Sequence, residues 1–70
     1  MKTTEDCIRI ASAGGGLDLS NGSKTTEDLI RIAAAASKTG ATIWVTGGKT
    51  TEDLIRIAAA GKGCVMVRFT

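Results

Sequence analysis

Apolar residues form one helical stripe in the middle of the chain. Leu29, Ile32, Ala33 and Ala36 follow the i, i+3, i+4, i+7 spacing, and Ile30 and Ala34 widen it. That period predicts a helix buried along one side. The same letters occur on either side, so three helices are expected. Short extended segments follow them: Leu17 to Ser20, Ala41 to Thr46 and Cys64 to Phe69. The second and third are rich in β-branched residues, whereas Asp18 and Asn21 weaken the first. Glycines at Gly14 to Gly16, at Gly40, and at Gly61 and Gly63 follow the helices, where glycine is the usual stop. Asn21-Gly22-Ser23 and Gly47-Gly48 turn the chain into the next helix.

The helical segment is a repeat. Lys24 to Ala35 and Lys49 to Ala60 both read KTTEDLIRIAAA, and Lys2 to Ala13 reads KTTEDCIRIASA, a match at ten of twelve positions. The differences are Cys7 for leucine and Ser12 for alanine. Within residues 1–70, read as one domain, the repeats run approximately over 2–23, 24–48 and 49–70. Thr3, Thr25 and Thr50 are placed as N-caps, each with an aspartate three residues on. Two acids in each first turn suit the positive end of the helix dipole. Glu5 and Arg9, Glu27 and Arg31, and Glu52 and Arg56 stand at i,i+4. Such pairs contribute about 0.2–0.5 kcal/mol each.

An alternating α-β-α-β-α-β chain implies parallel strands, because crossovers of one hand put the helices on one face of the sheet. The expected fold is α/β: a short three-stranded parallel sheet with helices on one face, two-layered and solenoid-like. The repeat length falls in the leucine-rich-repeat range, but the LxxLxLxxN pattern is absent. The chain resembles a small α/β tandem-repeat protein of bacterial type, or an idealised design of one. The resemblance spans the whole chain and is architectural, so it implies no activity.

Aligning the copies on the glycine before each strand assigns the faces. Leu17, Leu19, Ala41, Ile43, Cys64 and Met66 are expected to face the helices. Asp18, Ser20, Thr42, Trp44, Thr46, Val65, Val67 and Phe69 are expected on the open face. Trp44, Val65, Val67 and Phe69 would form an exposed apolar patch, the usual mark of an interface. Slipping the register by one residue would exchange the faces.

The ends are also suggestive. The chain's first element is a helix and its last a strand, so the first helix of one copy could follow the third strand of another. Cys7 and Cys64 sit where a helix and the preceding strand would touch. With strands in order 1-2-3 they lie at opposite edges, about 10 Å apart across two strand spacings. A disulfide needs Cα atoms within about 7 Å. The favoured expectation is a Cys7–Cys64 bond between chains. A bond within the chain follows if the first strand is central, and two unpaired thiols are the remaining alternative.

Composition narrows the chemistry. The net charge is +2, histidine is absent, and Trp44 and Phe69 are the sole aromatics. Dispersed basic residues do not suggest a nucleic-acid platform. Lacking histidine, the chain lacks the commonest general base and metal ligand. Val45-Thr46-Gly47-Gly48-Lys49-Thr50 resembles a phosphate loop, but the motif's first glycine would fall on Ile43. The repeated acidic pairs are explained by capping rather than acid–base catalysis. No catalytic, cofactor or metal residues are assigned, and no cofactor, membrane or specific small-molecule partner is expected. MKTTEDC lacks an apolar leader core, which places the chain in the cytoplasm by default. The functional expectation is a structural or self-assembling homo-oligomer, not an enzyme, joined through the open sheet face, the cysteines or both. The alternative is a small module that presents the Trp44, Val67 and Phe69 face to another protein.

Overall fold

The computed structural model describes residues 2–69. Its elements alternate: α1 (Thr4–Ser12), β1 (Leu17–Leu19), α2 (Thr26–Ser37), β2 (Ile43–Thr46), α3 (Thr51–Gly61) and β3 (Val65–Arg68). The strands form one parallel sheet in the order β1-β2-β3. Leu17 aligns with Ile43 and Ile43 with Val65, which puts Asp18, Trp44 and Met66 on one cross-strand row. The helices form a second layer in the same order.

Each helix starts at a threonine. The Thr3, Thr25 and Thr50 side chains accept the backbone N–H of Asp6, Asp28 and Asp53. In α1 the Asp6 carboxylate also accepts the Thr3 N–H, closing a reciprocal capping box. Each cap satisfies one of the four free amides of a first turn, which contributes about 1 kcal/mol.

The core lies between the layers, around the middle repeat. Leu29, Ile32, Ile43, Ile57, Val45 and Cys7 are its largest fully buried side chains. Each large aliphatic residue among them contributes about 1.5–3 kcal/mol by leaving water. Alanines Ala11, Ala33 and Ala36 are fully buried as well, and their small size lets α2 lie close to its neighbours. The Thr39 hydroxyl, just after α2, donates to the Ala11 carbonyl at 2.7 Å and ties the end of α1 to the middle repeat.

The third strand departs from the expected faces. Val65 and Val67 pack against the core on the helix side, whereas Met66 and Arg68 point outward. The reason is the exit from α3. After α1 and α2 the cap residues Ala13 and Lys38 keep right-handed backbone. Lys62 instead turns left-handed at once (φ 50°), and Gly63 follows at φ 94°. The first inward residue within each strand therefore lies one position beyond Gly16, three beyond Gly40 and two beyond Gly63. The even count reverses every side chain in β3. Gly61 is part of the same adjustment. Its neighbour is Val65, and a Cβ at position 61 would collide with that side chain. The equivalent residue of α2, Ala36, meets no such obstacle and is fully buried.

Candidate interaction surfaces

No helix covers the second face of the sheet. Trp44 is central on it, with Asp18 on one flank and Met66 on the other. The Arg68 guanidinium lies over the Trp44 ring, 4.4 Å from its centroid. An exposed cation–π contact of this kind contributes about 0.5–1 kcal/mol. Arg68 Nη2 also approaches Asp18 Oδ2 at 3.9 Å, so one side chain spans the sheet's width. Asp18 in turn accepts the Ser20 N–H at 3.0 Å and the Ser20 hydroxyl at 2.6 Å. Those hydrogen bonds, helped by Arg68, hold its carboxyl below the usual aspartate range.

Two large apolar side chains at this end of the sheet are exposed, Met66 on the open face and Phe69 just past β3. Met66 is 46% exposed and Phe69 76% exposed. The Phe69 ring borders Gly47, where a Cβ would strike it, and Gly47 donates its N–H to the Arg68 carbonyl at 2.8 Å. Of the four residues first assigned to this patch, Trp44 is on it, and Phe69, just past β3, has the parity of Val65 and Val67. Val65 and Val67 are on the other side, and Met66 and Arg68 take their places. A parity count that allowed for the early exit from α3 would have found both.

The cysteines stay apart. Cys7 is a core residue of α1 with 2% exposure, and Cys64 is half-buried just before β3. Cys64 Sγ lies 3.7 Å from the Ala36 carbonyl, a weak S–H···O contact. They are not close, and no disulfide joins them. With β2 central, a bond within the chain is geometrically barred. The alternative of a bond within the chain is therefore corrected: within one chain both thiols are free, Cys7 in the core and Cys64 packed against it.

The helix layer carries a ladder that the i,i+4 reading missed. Arg31 on α2 pairs with Glu5 on α1 at 2.6 Å, and Arg56 on α3 pairs with Glu27 on α2 at 2.8 Å. The arginine of each repeat thus reaches back to the glutamate of the repeat before it. The Thr26 hydroxyl of α2 meets Asp53 of α3 at 3.2 Å in the same layer. Stacking identical helices side by side makes these cross-helix partners as regular as those along one helix. Among the described residues, Arg9 and Glu52 have no ion-pair partner. A shallow groove runs along the outer side of α1, lined by Lys2, Asp6, Arg9, Ile10 and Ala13.

The glycine turn before α3 has a structural use. Thr50 accepts the Asp53 N–H, and Asp53 also lies 3.7 Å from Arg56. Among the described residues, no cluster of three or more cysteine, aspartate or glutamate side chains has metal-binding geometry. No helix there is long and apolar enough to cross a membrane. Comparison with protein-family models, curated proteins and solved structures found no match to this chain.

Proposed function

We propose that this chain is a self-assembling α/β repeat scaffold, a structural part with no catalytic role, whose open sheet face meets another copy of itself. The observation that carries this reading is the exposure of Met66 beside Trp44 on a sheet face that no helix covers. Parallel sheets are normally covered on both faces. The charges on the face favour a twofold contact. A twofold axis brings the same patch against itself, so Arg68 of each copy can meet Asp18 of the other. Most acidic side chains also support a structural reading: Asp6 caps α1, and Glu5, Asp18, Glu27 and Asp53 pair with arginines. Two free thiols accord with a cytoplasmic location.

A concentration series tests this. Sedimentation velocity should show mass growing beyond the 7.2 kDa chain, with Trp44 emission shifting blue as the face is covered. Substituting Met66→Lys should weaken that association. A 7.2 kDa species at every concentration, with Trp44 open to a soluble quencher, overturns the reading. A module that presents the same face to a different protein would give that result, which makes it the second reading.

A further inference from the structure

The repeat makes one helix-to-helix contact twice and leaves both halves of a third unused. On the flank that faces the preceding helix, α2 carries Asp28, Arg31, Ile32 and Ala35. Ile32 is fully buried there and Ala35 is 6% exposed. The same places in α1 are Asp6, Arg9, Ile10 and Ala13. Among the described residues no helix packs on this flank of α1, and these four residues line its outer groove, with Ala13 exposed. On the flank that faces the following helix, α2 carries Glu27, Ile30 and Ala33. Ala33 is fully buried and Ile30 partly so. The same places in α3 are Glu52, Ile55 and Ala58. Among the described residues no helix packs on this flank of α3, and Ile55 is 56% exposed while Ala58 is open.

We infer that α3 of one copy docks into the α1 groove of a second copy, extending the helix layer head to tail by the step the chain already makes inside itself. The charges match that step. The internal ladder pairs each arginine with the glutamate one repeat back. Its next rung is Glu52 of one copy with Arg9 of the other, the repeat's glutamate and arginine that have no ion pair among the described residues. The Thr26–Asp53 hydrogen bond likewise has a next instance, Thr51 with Asp6. Ile55 and Ala58 would enter the space beside Ile10 and Ala13. The same step brings β1 of the second copy alongside the open edge of β3, where backbone groups await a partner. A contact between unlike patches propagates, so it closes into a ring or runs on as a filament. This inference rests on self-association but uses a surface separate from the sheet face.

Charge exchange between copies tests it by sedimentation velocity, with circular dichroism to confirm the fold of each variant. Arg9→Glu and Glu52→Arg each set like charges together at the contact, so each alone should associate about tenfold more weakly, or worse. Mixed in equal amounts they should recover mass by alternating, since each variant then meets an opposite charge at both ends. The double variant R9E/E52R should recover on its own. Ile55→Lys should lose the contact, and the exposure of Ile55 leaves its own fold intact. Unchanged association of all three single variants, with loss only on Met66→Lys, overturns the head-to-tail contact and leaves the sheet-face reading standing. A mixture no heavier than its separate components also overturns it. Wild-type chains that stay single at every concentration overturn both.

Discussion

The helices α2 and α3 begin with the same letters and lead different lives. Leu29, Ile32 and Ala33 of α2 are fully buried. Their counterparts in α3 are Leu54, half-buried; Ile57, fully buried; and Ala58, exposed. Ile30 packs against the core, whereas Ile55 is 56% exposed. Since the motif is identical, the difference comes from the neighbours alone. α2 has a helix on each side, and α3 has one. In a stacked array, burial belongs to the interface between repeats, and an end repeat carries apolar surface that a middle repeat hides.

The largest effects should separate these two helices. Leu29→Ala opens a cavity at the centre and should cost about 2–5 kcal/mol. Leu54→Ala, the same change at the same motif position, should cost less than half as much. Ile55→Ala should stay within about 0.5 kcal/mol in the isolated chain, as exposed substitutions do. Urea unfolding of the three variants checks the order, and equal losses at Leu29 and Leu54 would break the comparison.

Position 61 sharpens it. Gly61→Ala gains helix propensity of about 1 kcal/mol. It also forces a Cβ into Val65, and overpacking costs about 1–3 kcal/mol. The expected net is a loss, although alanine is the residue that α2 accepts at the same place. A rise in melting temperature would show that β3 yields easily. The next residue should respond the other way. Lys62→Gly relieves a left-handed backbone at φ 50° and should stabilise by about 1 kcal/mol, read from the same unfolding curves.

The ladder should matter less. Both ion pairs join side chains that are 53–72% exposed, so a double-mutant cycle on Arg56 and Glu27 should return about 0.2–1 kcal/mol, falling with added salt. The smallest effect is in acid. Asp6, held by the Thr3 N–H and hydroxyl, and Asp18, held by Ser20, both titrate below the ordinary value of 3.8. Unfolding returns them to that value, so the unfolded chain binds more protons around it. Their contribution is complete above 3.8 and is lost as pH falls through the lower folded values. Thr3→Ala and Ser20→Ala should each make the acid limb of a stability–pH curve shallower, and an unchanged limb would count against the caps as its cause.

Much of this fold is legible in the letters because each local signal repeats. The threonine caps, the apolar stripe and the glycine stops agree in every copy, and parallel strands follow from their alternation. The sheet faces of β1 and β2 were readable by simple alternation from the glycine. Those of β3 were not, because a lysine took left-handed backbone at position 62 and changed the count. No propensity marks Lys62 for that conformation; the packing of Val65 under Gly61 goes with it. The cross-helix ladder was hidden for a different reason. Arg31 has glutamates available both along its own helix and across to α1, and only the stacking of helices selects Glu5. The open ends were legible as a possibility, but which side chains they expose required seeing which flank each helix turns to its neighbour.

Amide hydrogen exchange followed residue by residue at increasing protein concentration tests most directly whether neighbours alone set the difference between identical helices. At low concentration, the amides of α2 from Leu29 to Ala36 should be the most protected, with α1 and α3 weaker. As concentration rises, protection should grow in α1 and α3 and approach that of α2. Equal protection of α2 and α3 in the dilute chain, with no change on concentration, would contradict it.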